Sequence, residues 1–595
     1  MSKQSYWDSV VNRRLSRRRA LAATGALTAS AAFLAACGGD DDDDDDAGTG
    51  SSGSPGSGSS GSSGAGSGGS SGGGAATITE GITDGYLKKA DGPGVRGGTM
   101  GFLYADSPNL DLLTNALEYA GMSGQYVYDH LLSSRSNANA PYVLEAAESL
   151  EQPDDITFVF KLRPGMTYHD IAPVNGRPVV ADDIVKVQEH VKTLTGAENA
   201  FQNGILERAE APDDTTVIYT LQRPTAYLFT SRMLGHPGPQ AIIPSELFDN
   251  MATAHQVGSG PFILDEWVIS SRYHYVRNEK YHSRGLGEGV MPYRDATDVH
   301  VLVDDAPRQA AFRSEQVHFY QPAAGAFEET AASIGDFATS TEWIGLSPYT
   351  WNFGMQAGRG PWADPNDTRM REAGYRLTDK QQMVDLRYNG AAVTTTGILA
   401  MGQFPDYLLE ESETEEFFKY DPAEAKKLLD AVGWDYSREL VCEILGTQNQ
   451  SGAEILAQQW SAADLKLRIE VFNAGELLPR SLRGEYDVFH GSHPQYDSPQ
   501  APMRQNHSDP RLAFGGTALN LPEIDAMVEK AESTVDFEEN AKLIRELQME
   551  LLRRYTPYYN IVTPFNQYLV NSKIVNFEIE SSNTSMHRAD AFYPA

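Results

Sequence analysis

Residues 40–46 are seven consecutive aspartates, and residues 48–74 are nearly all glycine, serine and alanine. Neither stretch can bury a core. The aspartates repel one another and stay hydrated, and the Gly/Ser tract is a flexible coil. This divides the 595-residue chain into a short leading segment, a tether and a body that begins near Val95. About 40 residues of such coil have an r.m.s. span of roughly 35 Å. The body is long enough for several domains of about 100–200 residues each. A hydrophobic content of 41% with 10% aromatics is enough for a substantial core.

The leading segment has the order of a secretory signal. Arg13, Arg14, Arg17, Arg18 and Arg19 form a basic region, and residues 20–36 form a short, alanine-rich apolar one. "SRRRAL" (16–21) resembles a twin-arginine export signal with Arg17 and Arg18 as the pair, but alanine stands where that pattern usually has Phe, so Sec export stays open. "LAAC" (34–37) resembles a bacterial lipobox. That resemblance implies cleavage after residue 36 and lipidation of Cys37; the plain alternative is an ordinary thiol. Acyl chains anchor by burying methylenes, at about 0.8 kcal/mol each. The expectation is an exported protein, lipid-anchored to the outer face of the cytoplasmic membrane or held in the periplasm. Its parts are a signal over 1–36 and a tether over 37–94.

Asp and Glu number 81 against 48 Lys and Arg, a formal net charge of -33. Such a surface repels phosphate backbones, so nucleic acid is not expected as a partner. The two cysteines, Cys37 and Cys442, give no disulfide framework and no thiolate zinc site. Nothing downstream of the leader has about 18 consecutive apolar residues, the minimum for a membrane-spanning helix. The body contains no G-x-S-x-G elbow, P-loop, G-x-G-x-x-G or H-E-x-x-H. "GSGP" (258–261) precedes a strand rather than a helix, so it reads as a turn and not as an anion site. "YHD" (168–170) has no partner nucleophile and reads as a structural contact. His490 and His493 are three apart in "FHGSHPQYDSP", where Gly491 and Pro494 favour a loop over a metal-binding helix face. The expectation is a binding protein rather than an enzyme, with no cofactor and no metal.

The body alternates strand and helix patterns, which favours α/β layers. "ITFVFKLRPGM" (156–166) alternates apolar and polar residues and breaks at Pro164 and Gly165. "TTVIYTLQRP" (215–224) repeats that pattern, and residues 258–278 read as two strands around Ser270 and Ser271. In "DPAEAKKLLDAVGW", Asp421 is the N-cap, Pro422 the first helical residue and Gly433 the stop. Residues 521–531 and 537–555 continue with helical spacing.

Six stretches, in order, resemble the peptide/nickel type of extracellular solute-binding protein that serves ABC importers. "FKLRPGMTYHDIAPVNGRPVVADDIV" (160–185) resembles its L-R-x-G signature through Arg163, Gly165, His169, Asp170, Pro178, Ala181 and Asp183. "RGGTMGFLYADSPNLD" (96–111), "GSGPFILDEW…VRNEKYH", "WNFGMQAGRGPWADPNDTRMREAGYRLTDKQQMVD" (351–385), "YDPAEAKKLLDAVGW" and "EYDVFHGSHPQYDSP" match its other motifs. The likeness covers about 95–580. It implies a two-lobed periplasmic-binding-protein-like α/β fold of the large peptide-binding type, with hinge crossover strands. Lobe one is placed at 95–340 with 556–595 returning to it, and lobe two at 341–555. The implied partners are a small polar solute or oligopeptide and an ABC permease, and the protein is expected to be a monomer, with the bilayer reached through acylated Cys37. The candidate ligand-binding residues are Tyr119, Tyr349, Trp351, His493, Tyr496, Asp497 and Tyr558. In peptide binders of the family an aspartate near Asp497 pairs with the ligand's amino group. Here His493 replaces a common Trp, and the spacing near Tyr496 and Asp497 is one residue short. Glu315 and His318 stand where the family prefers Gly and Asp. A tethered hydrolase and a sensor without transport are the rival readings.

Overall fold

The computed structural model describes residues 76–77 and 95–574, apart from 105–108, 114–122, 135–141, 195–199, 230–233, 235–237, 253–254, 283–290, 303, 324, 346, 356–359, 403, 474–475, 478–479, 481–482, 493–498 and 509–516. Strands and helices are mixed along it, with strands in runs such as the four between Leu132 and Leu162. In the first sheet, Thr157–Leu162 lies between Ala147–Asp154 and Thr216–Leu221, with Leu206–Asp213 beyond, all antiparallel. Phe158, Phe160 and Leu162 point inward at every second position, as period-two patterning requires. The second sheet pairs Thr99–Leu103 in parallel with Ala296–His300. It continues through Arg272–Arg277 to Phe262–Val268. The last two strands form the expected hairpin, turning at Ser270 with φ +58°. Both sheets share one apolar core.

Two of the family-like motifs lock together in this half. The buried His169 ring pairs through Nε2 with the Gly260 carbonyl oxygen at 3.0 Å, while the Gly258 amide donates to Nδ1 at 3.4 Å. The "GSGP" stretch packs so closely that a Cβ at Gly258 would stand 2.0 Å from the Val127 carbonyl oxygen. It is a bend leading into the strand Phe262–Val268, and its glycines permit this approach. Nearby, Arg177 grips Asp183 through both terminal nitrogens at 2.9 and 2.8 Å. Asp183 in turn accepts the Val180 amide and closes the start of the helix Ala181–Thr193.

Burial holds three imidazoles neutral: His169 and His318 fall to about 4 and His490 to about 3. An unfolded chain takes up these protons near pH 6.5, whereas the folded one does not. Stability is therefore undiminished above pH 6.5 and declines as the pH falls towards 4. The expected penalty at pH 5 is about 2 kcal/mol per imidazole. His282 opposes this: burial disfavours its charge, but Asp129 at 2.9 Å outweighs burial and raises its pKa. Urea midpoints at pH 7 and pH 5 check the sum, and the pH 5 midpoint is expected to be lower.

The second half is built on an eight-stranded sheet. Val488–Ser492 lies between Tyr349–Phe353 and Glu439–Leu445, and Lys466–Phe472 forms the edge. His490 is thus on a central strand and not in the loop that Gly491 and Pro494 suggested, because both neighbouring strands satisfy its backbone. The helix Pro422–Ala431 starts as predicted, with the Asp421 carboxylate accepting the Glu424 amide at 3.0 Å. Pro522–Ser533 and Phe537–Arg553 are the other expected helices. A second core fills this half.

The chain crosses between the cores on two antiparallel paths. One is Ala338–Ile344 followed by Tyr349–Phe353. The other is the single strand Tyr558–Asn571, which pairs with both. Tyr558, Tyr559, Ile561 and Val562 lie in the second core, whereas Tyr568 and Val570 pack against the first. Leu569 joins Phe312, Val317 and Tyr320 in a small third cluster. The 555/556 division read from the sequence therefore falls just before a strand that belongs to both halves. Gly345 sits where the two paths touch: a Cβ there would come 2.7 Å from the Pro564 carbonyl oxygen.

Candidate functional site

The strand Tyr349–Phe353 is buried along its whole length, so both of its faces are covered. On one face Trp351 is fully enclosed. It stacks on Tyr559 with ring centroids 5.0 Å apart and meets Trp460 and Tyr375 edge-on. Its indole N–H donates to Thr378 Oγ1 at 2.9 Å. Tyr349, on the same face, donates to Asn449 and lies under the Arg387 guanidinium, 4.2 Å from the ring centre. Burial raises the Tyr349 phenol pKa far above its ordinary value, so it is a neutral donor.

The opposite face is polar. Thr350 and Asn352 alternate with the aromatics, and the register sets Asn560 beside Thr350 and Tyr558 beside Asn352. All four are at most 2% exposed. Thr350 Oγ1 donates to the Gly491 carbonyl and Tyr486 donates to Asn352 Oδ1. Tyr349 and Trp351 thus share a face, and Tyr558 lies on the other.

Ser492 pairs with Tyr349 at the crossover end of the sheet, and from there the chain enters 493–498. His493, Tyr496 and Asp497 lie in that segment, outside the described residues, as do Tyr119 and Cys37. Immediately after it comes a run of polar residues that sequence reasoning missed: Gln500, Arg504, Gln505, Asn506 and His507 are all at most 7% exposed. Buried polar side chains are costly unless partnered. Asn506 accepts the Thr556 hydroxyl at 2.6 Å, next to the start of the crossover strand. The density of Gln, Asn, Arg and His in "PQAPMRQNH" was the available clue, but composition alone reads as a surface loop.

Cys442 is buried, and burial lifts its thiol to about 12. Among the described residues no group of three or more His, Cys, Asp or Glu is placed to hold a metal ion, and no helix is long and apolar enough to cross a membrane.

Two cores joined by paired crossover strands, with buried polar groups at the joint, define a two-lobed α/β fold. Solved structures share this fold. The periplasmic binding protein DppA from Helicobacter pylori, in complex with the peptide STSA, superposes with a TM-score of 0.71 at 19% identity, over 84% of this chain and 98% of that one. The dipeptide-binding protein from Pseudoalteromonas sp. SM9913, in complex with Met-Leu, gives 0.71 at 15% identity, over 84% and 100%. Among curated proteins, the glutathione-binding protein GsiB of Shigella flexneri serotype 5b is 23% identical over 435 residues, 70% of this chain and 79% of that protein. The family model for bacterial extracellular solute-binding proteins, family 5, matches residues 142–511. The chain belongs to that family.

Proposed function

We propose that this chain is the lipid-anchored substrate-binding protein of an ABC importer. It takes a small peptide or peptide-like solute between its lobes and hands it, unaltered, to a membrane permease. The family match over 142–511 carries this reading. The peptides in the related structures and the glutathione named for the curated relative support the ligand class. Lobe one comprises 95–340 and lobe two 341–555, and the strand Tyr558–Asn571 returns from the second core to the first. Cys37 holds the lipid, and residues 37–94 let the body reach the permease without leaving the membrane.

The ligand meets Tyr119, His493, Tyr496 and Asp497, with Tyr558 on the polar face of the crossover, while Tyr349 lies with Trp351 on the other face. Trp351 supports that joint from the aromatic layer. Asp497 pairs with a free peptide amino terminus. Asp497→Asn is expected to weaken unblocked tripeptides about 10- to 100-fold, the worth of a hydrogen bond to a charged group. N-acetylated tripeptides should bind both proteins alike. Calorimetry on the two ligand sets checks this, and equal affinity of the variant for unblocked peptides would retire the assignment.

A further inference from the structure

The two halves also touch away from the crossover strands, at residues 223–227. Leu221 and Leu228 lie in the first core, whereas Ala226 and Tyr227 lie in the second. The chain thus leaves the first core after Leu221, enters the second at Ala226 and is back in the first at Leu228. The Ala226 amide donates to the Glu532 carbonyl at 2.8 Å, in the last turn of the helix Pro522–Ser533. Carbonyls there have no partner within their own helix. Arg223 Nη2 reaches Glu532 Oε2 at 3.1 Å, placing a cation where the helix dipole favours one. Tyr227 donates to Asn540 Oδ1.

We infer that residues 223–227 form a detachable latch, by which lobe one grips the C-terminal end of the helix Pro522–Ser533 when the lobes close. This rests on the two-lobed binding reading above. The partners are arranged so that separation leaves few polar groups stranded. Glu532 is 1% exposed and keeps a second guanidinium from its own half, Arg504 Nε on Oε1. Arg223 has a third of its side chain in water already. Asn540 Nδ2 remains bonded to the Ala531 and Thr534 carbonyls on its own side. Release thus returns one guanidinium, one phenol and one amide to solvent, while the carboxylate stays neutralised. Closure is favoured by contacts that only the closed state makes, the requirement for any population shift.

Hydrogen exchange on the full chain tests this, with the Ala226 amide as reporter because its acceptor is on the other lobe. Arg223→Ala is expected to speed exchange of the 223–229 peptide at least tenfold. The strands Thr216–Leu221 and Glu439–Leu445 should keep their protection, showing that both lobes remain folded. Tyr227→Phe, which removes one hydroxyl, should act in the same direction with a smaller increase. Reduced glutathione and unblocked tripeptides at saturation should slow exchange in the unmodified chain. Exchange of Ala226 only with global unfolding in all three proteins would show a permanent seam and overturn the latch. So would unchanged exchange in both variants with both strands intact. Faster exchange in the variants with no effect of glutathione or tripeptides would support the latch and contradict the peptide-binding reading.

Discussion

Arg371→Ala is expected to cost on the order of 5 kcal/mol of folding stability, from five acceptors at about 1 kcal/mol each. Arg371 is fully buried, and it faces backbone carbonyls rather than a carboxylate. Nε donates to Tyr555 at 2.8 Å, Nη1 to Trp362 and Asp364 at 2.9 and 2.7 Å, and Nη2 to Pro365 and Arg554 at 2.9 and 3.2 Å. Burial lowers its pKa to about 10, which still leaves it charged at neutral pH. The guanidinium fixes the turn around Asp364 against Arg554 and Tyr555, between the helix Phe537–Arg553 and the long crossover strand that begins at Tyr558. Alanine leaves five carbonyls facing a void. Arg371→Lys keeps the charge but lacks the planar fork, so it should recover less than half of the loss. Chemical denaturation of the three proteins at pH 7 reads this directly. A loss under 1 kcal/mol in the alanine variant would show that water replaces the guanidinium without cost.

The second large effect concerns Trp351. Trp351→Ala is expected to destabilise the second half by about 3–5 kcal/mol, the usual range for emptying a buried aromatic site. The indole is stacked on Tyr559 and boxed by Trp460, Tyr375 and Phe353. Tyr559 lies on the crossover strand, so the void would open at the joint itself. Trp351→Phe fills part of the space but abandons Thr378, and an intermediate loss is expected. Ligand affinity measured on folded alanine variant separates roles: a large stability loss with unchanged affinity marks Trp351 as a support for the joint.

Much of the architecture was legible because local rules and global fold agree. The cap at Asp421, the alternation in Thr157–Leu162 and the turn at Ser270 each follow from a few neighbouring residues. The motif around His169 and the "GSGP" stretch were visible separately, but their mutual lock across 89 residues was not. Arg371 shows the same limit. It stands within a stretch that resembles the family, yet its five acceptors lie in two segments nearly 200 residues apart, and no spacing rule joins them. His490 was misread because Gly491 and Pro494 weigh towards a loop in any local window, and only the strands on either side decide otherwise. The aromatics at the crossover were singled out because the family resemblance places crossover strands beside them; which face each occupies depended on a register with an irregularity between Tyr349 and Thr350. The latch at 223–227 has no local signature, because Arg223 acquires its meaning from Glu532.

The central claim is that two lobes hinged on the crossover strands shut over a bound solute. Small-angle X-ray scattering of the full chain, before and after saturation with unblocked tripeptides including glutathione, tests it most directly. The account predicts a smaller radius of gyration on saturation, reached at one ligand per chain. An unchanged radius with ligand demonstrably bound would contradict it.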